Sequence, residues 1–236
     1  MRRVNGSVLA LAAVVLITAE ARAQGDASTA VAGGGISVPG WMGKVDAREA
    51  SRGQTVNNAK FVAEGKGFHI TTGPAITYWK TGAPATGDYT VHATFTEPKY
   101  MGLNDHPHPY GIVIGANDMS TDQGTAFYCA AYGNGNFIAR GFGPAPFQAN
   151  GRMGEANAAV HKASAPGAPV TQDIAIAVHG DKVDCAINGT VVGSYNKADL
   201  VGAGKLKSTD GAYGIRFGHN TEAVVTNFGM SPAVHK

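Results

Sequence analysis

From Phe68 onward, apolar residues recur mostly at every second position, the period of a strand with one buried face. Tyr89, Val91, Ala93 and Phe95 alternate with Thr90, His92, Thr94 and Thr96. Ile174, Ile176 and Val178 alternate with Ala175 and Ala177, and Val183, Cys185 and Ile187 with Asp184 and Ala186. Tyr213, Ile215 and Phe217 predict another strand, and residues 224–228 a last one. Residues 110–116 are apolar in both phases, which predicts a central strand covered on both sides.

Turn chemistry separates these runs. Gly73-Pro74 divides residues 68–71 from 75–79. Gly133-Asn134-Gly135-Asn136 divides residues 125–132 from 137–142, and Gly180-Asp181 and Asn188-Gly189 punctuate the later strands. Asn and Gly tolerate the positive φ that a tight hairpin turn needs. No stretch has a helical period with caps; residues 154–162 come nearest, supported by alanine alone. Residues 143–169, rich in Pro, Ala and Gly, read as a long surface excursion. Many short strands joined by tight turns predict an all-β sandwich. The 33 glycines and 15% charged residues agree with that, and the lack of a three-residue glycine period excludes collagen.

The N-terminus adds a compartment. Arg2 and Arg3 precede an apolar run at residues 8–17, followed by Ala21-Arg22-Ala23, the pattern of a signal peptide over residues 1–23. A membrane span needs about twenty apolar residues, so no membrane insertion of the mature chain is expected. Val4-Asn5-Gly6 after the arginines does not suit the twin-arginine signal, which favours the general export route. Residues 24–40, mostly small, predict a flexible leader, and residues 41–236 a single domain. The expected location is secreted or periplasmic. Without Arg2, Arg3, Arg22 and Glu20, the 19 basic and 17 acidic residues become 16 and 16. A neutral chain without a Lys/Arg cluster has no electrostatic footprint for nucleic acid or acidic membrane. Cys129 and Cys185 lie on apolar phases. In an oxidising compartment they form a disulfide if geometry permits, or stay two buried thiols.

The run Tyr110-Gly-Ile-Val-Ile-Gly-Ala-Asn-Asp118, then Phe127-Tyr-Cys-Ala-Ala-Tyr-Gly-Asn-Gly-Asn-Phe-Ile-Ala-Arg140, resembles the central hairpins of concanavalin A-like lectin/glucanase domains. Residues 173–190 are similar to the "strand, turn, strand, Asn-Gly" segment of that group, and Gly211-Ala-Tyr-Gly-Ile-Arg-Phe-Gly218 to its closing strand. Among members of that group, the sequence most resembles the secreted bacterial 3-keto-disaccharide hydrolase-like domains. The resemblance implies a two-sheet antiparallel jelly-roll sandwich that contacts carbohydrate on its concave sheet or rim. Laminarinase-type enzymes of this fold carry Glu-x-Asp-x-x-Glu on one strand for acid and nucleophile work. That run is absent from the sequence, and Asp181 and Asp184 straddle a turn.

His92, Tyr128, Arg140 and Arg216 are the candidate ligand-binding set, expected to converge on the concave face, with Tyr132 sharing the phase of Tyr128. Arginine forks suit sugar hydroxyls or carboxylates, and aromatic rings suit sugar C–H faces; the plainer alternatives are a solvated sheet face and packing under a loop. Trp41 and Trp79 read as core or strand-edge residues. His106 and His108, in Asp105-His-Pro-His-Pro109, form an extended His-x-His whose rings point the same way, as a metal requires; otherwise they are solvated on a rigid loop. Asn117, Asp118 and Asp122 offer oxygens for calcium. No cofactor is expected unless calcium or a transition metal occupies these positions. No catalytic pair stands out beyond His92 with Asp88 or Asp184, and no Gly-x-Ser-x-Gly, His-Glu-x-x-His or phosphate loop is present. The order of readings is a carbohydrate-binding or surface-recognition module, then an enzyme cleaving glycosidic bonds, then a structural envelope protein.

Overall fold

The computed structural model describes residues 27–232, so the expected signal peptide lies outside the described residues. The strands are β1 (Gly35–Ile36), β2 (Trp41–Val45), β3 (Lys60–Glu64), β4 (Gly67–Thr71), β5 (Ile76–Lys80), β6 (Tyr89–Glu97), β7 (Tyr110–Asn117) and β8 (Thr125–Ala131). They continue as β9 (Asn136–Phe142), β10 (Phe147–Gln148), β11 (Glu155–Ala156), β12 (Val170–His179), β13 (Lys182–Ile187), β14 (Thr190–Asn196), β15 (Ala212–Phe217) and β16 (Glu222–Pro232). Two short helices, α1 (Ala47–Ala50) and α2 (Lys197–Leu200), lie between β2 and β3 and between β14 and β15. Among the described residues no helix is long and apolar enough to cross a membrane.

Sheet I runs β1-β3-β4-β16-β6-β12-β13-β14, and sheet II runs β10-β9-β8-β7-β15-β5-β2 with β11 on β9. Every strand pair is antiparallel except β1 on β3. The chain passes repeatedly between the sheets, as from β4 to β5 to β6 to β7, giving the expected jelly-roll sandwich. Strand β7 is central in sheet II and buried along nearly its whole length, as its two-phase apolar pattern predicted.

The inner phases meet between the sheets. Phe95 of sheet I stacks on Tyr110 of sheet II with ring centroids 5.6 Å apart, and Phe61 meets Tyr78 edge-on at 4.8 Å. Each such buried ring contributes about 1.5–3 kcal/mol. Cys129 of β8 and Cys185 of β13 are joined by a disulfide that ties the two sheets, with their Cα atoms 5.9 Å apart. Asn188 and Gly189, at φ 49° and 79°, make the β13–β14 hairpin turn that the Asn-Gly pair predicted.

Two expectations are corrected. Residues 27–40 are not a loose leader: Thr29 donates its N–H to Asn220 Oδ1, Val31 donates to the Asn58 carbonyl, and β1 pairs with β3. Their small side chains let the backbone approach closely; a Cβ on Gly34 would stand 2.1 Å from the Asn57 carbonyl oxygen. Residues 154–162 form no helix, because Glu155 and Ala156 pair with β9 instead.

Candidate functional site

The outer faces of the two sheets differ. On sheet I, polar side chains bond across strands: Thr94 Oγ1 donates to Asp173 Oδ1 at 2.6 Å, and the Thr96 and Thr171 hydroxyls lie 3.0 Å apart. Sheet II instead carries a second apolar cluster on its outer face, formed by Trp79, Val113, Met119, Tyr128 and Ile138, with Tyr132 and Phe142 packed against it. The ladder sets this row. Trp79 faces Gly214, Gly214 faces Val113, Val113 faces Tyr128, and Tyr128 faces Arg140. One row along, Thr77 faces Arg216 and Arg216 faces Gly111. The period of two therefore brings Tyr128, Arg140 and Arg216 to one face.

Their accessibility departs from expectation. Tyr128 is 3% exposed and stacks on Phe142 at 5.4 Å. The Arg216 side chain is 7% exposed, with its guanidinium carbon 5.0 Å from the Phe142 ring centre and 5.6 Å from that of Tyr128. Both terminal nitrogens bond Asp46, Nη1 to Oδ1 at 2.7 Å and Nη2 to Oδ2 at 2.5 Å. Burial works against the Arg216 charge, but Asp46 and Tyr128 outweigh it and raise the guanidinium's pKa further. Arg216 thus orders the face and is already committed to a carboxylate. Arg140, which faces Gln148 of β10 at the next step of the row, is half-buried, its Nη2 donating to the Arg152 carbonyl and its buried Nε without a hydrogen-bond partner. Tyr132 and Phe142, also half-buried, flank it.

His92 does not join this set. It lies on β6 in sheet I, exposed on that sheet's outer face and packed over Gly229. Alternation fixes a side chain's phase within its strand but not which sheet the strand enters. The proposed acid–base partners of His92 are engaged elsewhere. Asp184 accepts from Ser194 at 2.5 Å and contacts His179 Nε2 at 2.8 Å, and Asp88 accepts the Gly180 N–H. The calcium candidates do not gather either. Asn117 Nδ2 donates to the Gly115 and Asp210 carbonyls, and Asp118 pairs with Lys207 at 2.9 Å.

His106 and His108 do come together, with a residue the sequence reading missed. The β6–β7 loop carries both, and the β15–β16 turn brings in His219. His108 Nε2 lies 2.8 Å from His106 Nε2 and 3.1 Å from His219 Nε2. One ligand nitrogen from each of the three falls within 4.8 Å of the others. His106 Nδ1 contacts Asp105 Oδ1 at 2.6 Å, and His219 Nδ1 lies 3.4 Å from Ser28 Oγ. Burial, then the neighbouring His219 and His106, hold His108 down to about 3, so its imidazole is neutral at ordinary pH.

A polar pocket of about 10 Å³, room for about one water, adjoins these rings and is lined by Glu97, Asn104, His106, His108, Asn220 and Glu222 among others. Glu97 is 7% exposed, and its Oε2 has no hydrogen-bond partner. Burial pushes its carboxyl up to about 7, against the pull of the Met101 N–H that Oε1 accepts.

Neither a protein-family model nor a curated protein sequence matches the chain. Solved structures do. A carbohydrate-binding module, CBM66 from Bacillus subtilis, is 10% identical and aligns over 84% of this chain and 98% of its own with a TM-score of 0.52. A Bacillus subtilis protein of unknown function with a galectin-like fold is 12% identical over 83% of this chain and 90% of its own, at 0.54. An endo-β-1,3-glucanase from Pyrococcus furiosus is 13% identical over 87% of this chain and 92% of its own, at 0.53. The fold is the concanavalin A-like lectin/glucanase sandwich.

Proposed function

We propose that this chain is an exported carbohydrate-binding sandwich that holds glycan on the outer face of sheet II, around Arg140, Tyr132 and Phe142. The observation that carries this reading is the aromatic and arginine cluster on one sheet's outer face, where sheet I has threonines and aspartate. Buried Tyr128 and the Arg216–Asp46 pair form its floor. The half-buried Tyr132 and Phe142 rings and the half-buried Arg140 form its rim. Rings of this kind offer apolar surface to sugar C–H faces, and the guanidinium offers donors to hydroxyls or a carboxylate. The carbohydrate-binding module and the glucanase among the structural neighbours support the ligand class. The disulfide suits an oxidising compartment, which agrees with the export pattern of residues 1–23. The test is a glycan array probed with the chain from Gln24 onward and with its Arg140→Ala variant. Binding lost in a variant that melts like the parent supports the reading, and absence of any glycan signal removes it.

A second reading, cleavage of glycosidic bonds, has Glu97 as its support: a buried carboxyl held near 7 can remain a proton donor at neutral pH. Release of reducing or keto sugar, assayed beside the array, separates the two.

A further inference from the structure

We propose that His106, His108 and His219 form a binding site for a first-row transition-metal ion, of which zinc is the type, with the remaining coordination turned toward the pocket walled by Glu97 and Asn104. Three features of the cluster lead to it.

The first is spacing. Two imidazole nitrogens each about 2.0–2.1 Å from one zinc ion, at angles of about 90–110°, stand about 2.9–3.4 Å apart. The separations along the row are 2.8 and 3.1 Å, and its two ends lie within 4.8 Å, so the outer rings need only swing inward to close on one ion; the three nitrogens come from a loop and a hairpin turn remote in sequence.

The second is proton placement. The Asp105 carboxylate accepts from His106 Nδ1, so a neutral His106 ring keeps its proton there and turns a bare Nε2 lone pair toward His108. Ser28 spends its hydroxyl proton on Glu49 Oε2 at 2.6 Å, leaving its oxygen as an acceptor for His219 Nδ1–H. The His219 Nε2 lone pair is then also directed at His108. A cation placed among the three rings would be met by a nitrogen from each. Holding the far ring nitrogen by a carboxylate or hydroxyl is how proteins fix the tautomer of a metal-ligating histidine.

The third is the wall. Glu97 presents a buried carboxyl oxygen without a hydrogen-bond partner in a pocket that holds about one water. A metal-bound water there would supply the missing donor. Three neutral nitrogen ligands without a thiolate resemble the ligand sets that leave a zinc position open to water or substrate, in contrast to closed structural sites.

The experiment uses untagged protein from Gln24 onward, stripped with a chelator and titrated calorimetrically with zinc chloride. The cobalt form is followed by its visible absorption. One equivalent of zinc is expected to bind. His219→Ala and His106→Ala should each weaken binding by more than about 100-fold, beyond the about 10–100-fold typical of losing an outer-shell partner, and should abolish the cobalt band. Asp105→Asn should weaken it by about 10-fold. His161→Ala, whose ring bonds the Thr171 carbonyl instead, should bind like the parent. His106 is half-exposed, so its variant remains informative if His219→Ala fails to fold. Failure to bind zinc, or unchanged affinity in His106→Ala, would show three rings that only hydrogen-bond to one another and overturns the site.

Discussion

Arg216 and Asp46, 170 residues apart, meet as a two-pronged ion pair on the outer face of sheet II. Asp46 precedes α1 and is tied back to sheet II by its own N–H on the Ala75 carbonyl, so the pair fastens the helix to the sheet. Removing one member leaves the other uncompensated, a loss of about 3–5 kcal/mol for a fully buried pair. The Asp46 side chain is 29% exposed, which lowers the expectation for Asp46→Asn to about 2–4 kcal/mol. Urea denaturation should show this as a shifted midpoint with an unchanged slope.

The disulfide closes a span of 56 residues between the sheets. A loop of that length gives about 4 kcal/mol in the chain-entropy model, and measured values fall typically at about 2–4. The Cys129→Ala, Cys185→Ala double variant should lose that much stability. Native protein should resist a polar alkylating reagent unless first reduced.

Glu97 makes stability depend on pH in a particular direction. Its folded value, about 7, lies above the 4.5 of a free carboxyl, so folding favours the protonated form. The cost is absent below pH 4.5, grows between 4.5 and 7, and is complete above 7, where it reaches about 3 kcal/mol. Glu97→Gln should therefore match the metal-free parent at pH 4 and exceed it at pH 8. Equal midpoints at both pH values would place the carboxyl in a wetter setting than the fold shows.

On the glycan face, Arg140→Ala and Tyr132→Ala should each weaken binding by about 10-fold, near 1.4 kcal/mol, with little change in melting temperature. Tyr128→Ala should instead lower the melting temperature, because that ring is buried under Phe142. A buried aromatic truncated to alanine costs about 3–5 kcal/mol.

If the export reading holds, the secreted chain should begin near Gln24 when its N-terminus is sequenced. A mature chain still beginning at Met1 would remove the basis for that location.

Much of the sandwich could be read from period and turn residues. The strands around Tyr89, Tyr110, Ile174 and Ile215 carry strict alternation or continuous apolarity, and the fold places each where that pattern requires. Residues 27–40 escaped the reading because docking by backbone bonds leaves no side-chain period to see. The phases of Tyr128, Arg140, Phe142 and Arg216 were legible; the burial was not, since Met119 reaches the face from the β7–β8 loop, a route that alternation does not encode. His219 lies 111 residues from His108, and only the closing of β15 against β7 brings the two together. The one available signal was a third histidine in a turn ending a predicted strand.

Strand β16 sits inside sheet I, between β4 and β6, yet is translated after every strand it joins. Until it emerges from the ribosome, one half of that sheet has no neighbour across the gap. Asn220, just ahead of it, also receives Thr29, 191 residues upstream. The molecule therefore cannot acquire its sheet stepwise during synthesis. Contacts of such long sequence separation make for slow, late folding, and a nascent chain halted before residue 222 should remain sensitive to protease.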